Sequence, residues 1–331
     1  MNHQWQQFEQ KLQLLKKQIT EDLSKFLQQD IPVSLYEPIK YAMQSGGKRL
    51  RPILLLLSTE ALGGDVEAAR PAALAIELLH NFTLVHDDIM DNDDTRRGRP
   101  TVHQKWDTDV ALLAGDGLVA LAYQSLLKTP TDRLIEISRI FTAGIIELCE
   151  GQALDREFET RERVSMDEYL EMITKKTGRL LSMCAQIGAI IAHAPERAVQ
   201  ALKIFGESLG IAFQIQDDLL DITSDPAVLG KDFGSDIRQR KKTFLLVHAL
   251  KNANLQQYRR LQQILSREKI GIDSILQIRE LFQQIGSIDY ARQKIREHIA
   301  AAENSLAPIE AMNGKTGDLK KLLNLVLRRE A

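Results

Sequence analysis

The chain has 331 residues, more than one hydrophobic core usually needs, so size alone leaves one large domain or two smaller ones open. Its 43 Lys and Arg nearly cancel 45 Asp and Glu, which removes any general electrostatic reason to bind nucleic acid or an anionic membrane. With Cys149 and Cys184 as its only cysteines, the sequence excludes a disulfide framework and a Cys/His metal site.

The N-terminal stretch from Met1 to Lys17 is rich in Gln and Lys and lacks the apolar core of a signal peptide. Phe8, Leu12, Leu15, Ile19, Leu23 and Phe26 then recur every three or four residues and predict an amphipathic first helix. The same period predicts helices near Leu35–Ser45, Pro52–Leu62, Pro71–Asp91, Val110–Leu127 and Arg133–Arg156. It continues through Met166–Ala192, Glu196–Ile222, Thr243–Leu250, Leu255–Ser266, Ile272–Leu281, Ile285–Leu306 and Gly317–Leu327. The alternation that marks strands is absent, so the expected class is all-α. Pro52–Leu62, Val110–Leu127 and Leu180–Ala192 are apolar on most of their circumference and are expected at the centre of a bundle. The longest apolar stretch, Met183–Ala194, is interrupted by Gln186 and too short for a bilayer. A soluble, cytoplasmic protein with no stable membrane insertion is therefore expected.

Two Asp-Asp-x-x-Asp clusters stand out, Asp87-Asp88-Asp91 and Asp217-Asp218-Asp221. On a helix each occupies about a quarter of the circumference, and the like charges repel. Both lie at the ends of otherwise apolar helices, where a hard cation makes them tolerable. Mg²⁺ takes one or two protein carboxylates and completes its shell with substrate phosphates, so two facing clusters could hold several ions around a diphosphate. The charged, glycine-containing loops Asp91–Thr101 and Ser224–Lys242 follow the clusters directly.

Matching cations are present. Gly46-Gly47-Lys48-Arg49-Leu50-Arg51-Pro52 places basic residues at a helix start, which the helix dipole disfavours unless an anion is bound there. Arg96 and Arg97 follow the first cluster, and two adjacent guanidinium forks pointing differently could serve two anions. His80 lies two turns before Asp87 on nearly the same face. Lys176, Thr177, Lys231 and Lys241 add later donors.

These motifs, in this order, resemble the trans-isoprenyl diphosphate synthase (polyprenyl synthetase) family. The resemblance runs from about Leu35 onward and includes Gly151-Gln152-x-x-Asp155, Lys176-Thr177, Phe213-Gln214, Gly230-Lys231-Asp232 and Lys241-x-Thr243. It implies a single α-helical domain over residues 1–331 around a deep central cavity, usually a homodimer. It also implies a prenyltransferase joining isopentenyl diphosphate to dimethylallyl, geranyl or farnesyl diphosphate. By that resemblance Asp87, Asp91 and Asp217 hold about three Mg²⁺ ions, with Asp88, Asp221 and Asp155 supporting, and Asp218 and Lys176 join the clusters as catalytic residues. Arg96, Lys176, Thr177, Gln214, Lys231 and Lys241 contact the allylic diphosphate; Lys48, Arg51, His80 and Arg97 bind isopentenyl diphosphate. Leu79, Phe82 and Thr83 line the helix below the first cluster, and the bulky-then-small pair Phe82-Thr83 resembles the geranylgeranyl-forming type. Farnesyl and longer products are the alternatives. A terpene cyclase would not need Lys48, Arg51 and Arg97, and a non-catalytic subunit should have lost members of the Asp or Arg sets.

Overall fold

Helix α1 (His3–Phe26) turns Trp5, Phe8, Leu15, Ile19 and Leu23 inward, following the stripe in its sequence. In a computed structural model, which describes residues 3–224 and 233–327, nearly every later element is also an α-helix, and the all-α class holds. The one sheet among the described residues is a two-residue ladder, Thr95-Arg96 against Arg99-Pro100. Among the same residues, no helix is long and apolar enough to cross a membrane.

The helices group into two units, residues 1–140 with 184–199 and residues 141–183 with 200–331. The first contains α1, α2 (Val33–Met43), α3 (Leu50–Ala61), α4 (Val66–Met90), α5 (Val102–Lys105) and α6 (Thr108–Leu126). The second contains α8 (Met166–Ile173) and the helices beyond residue 235, while α7 (Leu134–Thr160), α9 (Arg179–Ile191) and α10 (Glu196–Thr223) contribute to both.

In the first unit α4 packs on α3 and α6. It begins at Val66, five residues before the expected Pro71. Asp65 is the reason: its side chain accepts from the Glu67 amide at 2.9 Å, and Pro71 is carried inside the helix. Similarly, α3 begins at Leu50, so Pro52 falls in its first turn, where the missing N–H costs nothing.

The expectation of central helices is met by α3, whose residues Pro52 to Thr59 are all buried, and by the run from Leu180 to Ile191, buried throughout. It is corrected for Val110–Leu127. Helix α6 buries Ala111, Ala114, Gly115, Leu118 and Ala122 but leaves Leu112 at 43% and Leu113 at 60% exposure. The buried set is mostly small residues at three- and four-residue spacing, which lets α6 lie close on α4. Leu112 and Leu113 fall outside that stripe.

In the second unit the expected helix Met166–Ala192 is interrupted. Ser165 and Glu168 form a reciprocal capping box at the start of α8. A π-helical turn, Thr174–Gly178, then precedes α9. The expected helices Ile272–Leu281 and Ile285–Leu306 are found as Ile272–Ile285 and Ser287–Ser305, separated at Gly286, which adopts a left-handed φ of 82°. Phe244 fills this unit's core between Tyr169, edge-on at 5.8 Å, and Tyr290, stacked at 5.5 Å.

Gly188 shows how tightly α9 meets α3. A Cβ there would overlap the Leu55 carbonyl and the Ser58 side chain, while Thr59 Oγ1 donates to the Gly188 carbonyl at 3.1 Å. Replacing Gly188 by Val should therefore cost about 2–3 kcal/mol through overpacking against backbone. Urea unfolding monitored by circular dichroism would register the loss as a lower midpoint.

Candidate active site

The first Asp cluster ends α4. Asp87 and Asp91 are half-buried, and Asp91 is the terminal residue whose amide donates to the Asp87 carbonyl at 2.8 Å. Asp88 points elsewhere. It is buried, and its Oδ1 accepts from Arg96 Nε at 2.5 Å. Burial pushes the Asp88 carboxyl up to about 6, against the opposing pull of the Arg96 guanidinium.

Arg96 and Arg97 are aimed by the small hairpin. Arg97 and Gly98 occupy its two central positions with φ of 53° and 74°, the left-handed pair that a two-residue turn requires. Arg96 consequently turns to Asp88, while Arg97 Nη1 donates to the Gly46 carbonyl. Tyr41 of α2 clamps the hairpin, its hydroxyl donating to the Pro100 carbonyl at 2.8 Å and its ring lying 4.3 Å from the Arg99 guanidinium.

The glycine-rich basic loop lies in the same unit. Gly47 has a φ of 129°, and a Cβ there would strike the Arg97 guanidinium, so only glycine admits that arginine. Lys48 is exposed, and Arg51 Nη1 donates to His80 Nε2 at 3.1 Å. With Nε2 accepting, the proton of the neutral ring belongs on Nδ1, which is shut off from solvent and has no hydrogen-bond partner. Burial first, then the positive charges of Arg51, Arg97, Arg49 and Arg96, hold the imidazole pKa well below its ordinary value.

Of the residues expected to set product length, Leu79 is fully buried, whereas Phe82 and Thr83 are half-buried. Thr83 Oγ1 donates to the His80 carbonyl at 2.8 Å, and the Phe82 ring meets the His86 ring edge-on at 4.7 Å. His86 in turn lies against Gly115 of α6, where a Cβ would overlap the imidazole.

The second unit brings Asp155, Lys176, Gln214, Asp218 and Lys241 into one pocket. Lys176 Nζ pairs with Asp155 Oδ2 at 2.6 Å. The π-helical turn sets Lys176 and Thr177 in place, and it packs so closely that a Cβ on Gly151 would overlap the Lys176 backbone. Thr177 Oγ1 donates to Gln214 Oε1 at 2.9 Å, and Gln214 Nε2 donates to Asp218 Oδ1 at 3.1 Å.

Asp218 is buried and takes two further donors on Oδ2, the Tyr169 hydroxyl at 2.5 Å and the Phe244 amide at 2.8 Å. Asp217 is half-buried. Asp221 accepts from the amide and hydroxyl of Ser235 at 3.0 and 3.1 Å. Burial, reinforced by the negative charge of Asp236, raises both Asp218 and Asp221 above the usual carboxylate range. Lys231 lies outside the described residues.

Among the described residues no three His, Cys, Asp or Glu side chains converge into a ready-made metal cage. The half-buried carboxylates of Asp87 and Asp91 in the first unit, and of Asp217 in the second, are the oxygen donors a hard cation takes when a diphosphate supplies the rest of its shell.

Sequence reasoning missed Arg49, Glu77 and Tyr169. Glu77 had a signal, a lone carboxylate within Ala72-Ala73-Leu74-Ala75-Ile76-Glu77-Leu78-Leu79; Tyr169 had none that its local sequence displays.

The polyprenyl synthetase family model matches residues 32–282. A short chain isoprenyl diphosphate synthase of Methanocaldococcus jannaschii is 42% identical over 277 residues, covering 83% of each chain. A geranylgeranyl diphosphate synthase of Sulfolobus acidocaldarius is 40% identical, covering 94% of this chain and 95% of that one. The crystal structure of a geranylgeranyl pyrophosphate synthetase from Pyrococcus horikoshii superposes with a TM-score of 0.92 at 38% identity, covering 99% of this chain and 100% of the other.

Because the folded chain refuses a proton at His80 that the unfolded chain accepts below about pH 6.5, this residue withdraws stability as the pH falls through that value. Replacing His80 by Gln should make the acid-side decline in unfolding free energy shallower by up to one proton. Urea titrations of both proteins between about pH 5 and 7 provide the comparison.

Proposed function

The chain belongs to the polyprenyl synthetase family, and we infer that it is a Mg²⁺-dependent trans-prenyltransferase that condenses isopentenyl diphosphate with an allylic diphosphate. The observation that carries this reading is the division of the cationic and polar residues into two sets. Lys48, Arg51, His80 and Arg97 cluster about the glycine-rich loop, whereas Lys176, Thr177, Gln214 and Lys241 cluster about the π-helical turn and its pocket. Two separate anion-binding sets suit a reaction with two diphosphate substrates.

The carboxylates assigned to magnesium are Asp87, Asp91 and Asp217, with Asp155 and Asp221 in support. When bound, magnesium supplies positive charge to the diphosphate that leaves the allylic carbon. The positive charges of Arg96, Lys176, Lys231 and Lys241 are assigned to the same developing anion, an electrostatic stabilisation worth most where water is excluded. Lys48, Arg51 and Arg97 hold the second diphosphate, so that the isopentenyl double bond is oriented toward the allylic cation. His80 belongs to that set as a neutral ring whose proton affinity rises when an anion offsets the surrounding arginines. The adduct then loses a proton, which released diphosphate can accept, so the chain need not supply a side-chain base.

We assign geranylgeranyl diphosphate as product, with farnesyl or a longer polyprenyl diphosphate as the alternative, and a single domain over residues 1–331 acting in the cytoplasm. A homodimer is also proposed. It is supported by the exposed apolar residues Leu112, Leu113, Leu127 and Ile135 in the first unit.

Incubation with radiolabelled isopentenyl diphosphate, Mg²⁺ and dimethylallyl, geranyl or farnesyl diphosphate should give incorporation that a chelator abolishes. No incorporation with any primer would overturn the assignment. Chromatography of the dephosphorylated products should show a C20 alcohol. Replacing Phe82 by Ala should shift it to a longer one, and an unchanged chain length would remove Phe82 from its assigned role.

A further inference from the structure

Arg49 is the residue before α3, and its backbone is left-handed, with φ of 53° and ψ of 32°. That conformation costs an L-residue about 1–2 kcal/mol, so something must hold it there. The side chain does so from the interior. Its Nη1 pairs with Glu77 Oε1 of α4, and its Nη2 donates to the Met43 carbonyl at the end of α2 at 2.9 Å. Glu77 is fixed in turn by Asn81, whose Nδ2 donates to Glu77 Oε1 at 3.2 Å and to the Glu77 carbonyl at 2.8 Å. Each partner of the ion pair has only 4% of its side chain exposed, so neither can reach a substrate.

Their surroundings are the cations assigned to isopentenyl diphosphate. Lys48 precedes Arg49 and Arg51 follows it by two positions, Arg97 donates to the carbonyl of Gly46, and His80 lies one turn along α4 from Glu77. A buried ion pair gains little stability over well-packed apolar side chains, because desolvation offsets most of the attraction. Stability is thus a weak reason for this pair, and geometry is a strong one. It locks the loop backbone on which the anion-binding side chains stand.

We propose that Arg49 and Glu77 are positioning residues for the isopentenyl diphosphate subsite, acting through the conformation of the Gly46–Arg51 loop. The proposal rests on the prenyltransferase reading above and adds to it two residues that touch no substrate. It makes the pair specific to one of two substrates, a role that a general core ion pair does not have.

The test is the double replacement Arg49→Met with Glu77→Leu, which removes both charges and leaves no unpaired one. Glu77→Gln serves as a second variant that keeps the shape of the side chain. For each, thermal unfolding and steady-state kinetics are measured, varying isopentenyl diphosphate at saturating allylic substrate and then the reverse. In the double variant the unfolding temperature should be equal or higher, while KM for isopentenyl diphosphate rises about tenfold or more and KM for the allylic substrate stays within about twofold. Glu77→Gln should move the same constant in the same direction by less. A folded double variant with unchanged KM for isopentenyl diphosphate overturns the proposal, and so does a parallel rise in both constants. If the double variant does not fold, an unchanged KM for isopentenyl diphosphate in Glu77→Gln overturns it as well. Wild-type protein assayed alongside separates these outcomes from failure of the functional reading, which would appear as no incorporation by the wild type itself.

Discussion

The first unit depends on the conflict within α4, a helix buried for most of its length that carries ionisable groups into the interior. An uncompensated buried charge costs several kcal/mol, so each group on this helix needs a partner that the helix cannot supply. The partners come from the loops. Glu77 takes Arg49 and Asp88 takes Arg96, while His80 stays neutral and accepts from Arg51. Glu77, His80 and Asp88 lie about three and then eight residues apart, roughly one and two turns of helix. The basic loop and the small hairpin are therefore pinned to the helix at successive levels, and the residues assigned to isopentenyl diphosphate inherit their places from those attachments.

The second unit solves the same difficulty with neutral donors. Buried Asp218 is met by a tyrosine hydroxyl, a backbone amide and a glutamine side chain, which together satisfy both carboxylate oxygens. The network continues through Gln214 to Thr177 in the π-helical turn. A π turn has poorer packing than a regular helix and survives only where neighbours fix it. Here Gly151 admits its backbone, and the Lys176–Asp155 pair anchors its exposed side. Thr177 and Gln214, both assigned to the allylic diphosphate, are thus held by the network that satisfies a core carboxylate.

Much of this was legible in the sequence, because helical periodicity and local charge are both short-range signals. The all-α class, the buried character of α3 and of Leu180–Ile191, and the two Asp clusters all follow from residues within a few turns of one another. The outward leucines of α6 were not legible, since a helix apolar on every side gives no phase, and only the small residues Ala111, Ala114, Gly115 and Ala122 mark its packed face. The π-helical turn was hidden because the residues that pack on it and pair with it, Gly151 and Asp155, lie about twenty residues earlier. Arg49 and Glu77 escaped for a similar reason. They are 28 residues apart, and nothing local to the basic loop tells an arginine that points inward from one that points at an anion.

The Asp-Asp-x-x-Asp spacing itself acquires a physical meaning from these contacts. The first and last carboxylates of such a motif lie about 40° apart on a helix, while the middle one is displaced by about 100° from the first. In both clusters the displaced member, Asp88 or Asp218, is buried and accepts hydrogen bonds from protein donors. Asp87, Asp91 and Asp217 keep partial exposure. Three equivalent ligands so close together would repel one another strongly without a cation. One inward acceptor and a smaller outward set reduce that repulsion, and they tie the outward set to the core. The two adjacent aspartates of each motif therefore have different surroundings, one accepting hydrogen bonds in the interior and the other half-buried at the end of its helix. Asp221 fits this division imperfectly. It accepts from Ser235 and fastens the end of α10 to the segment that leads into Lys241 and Thr243.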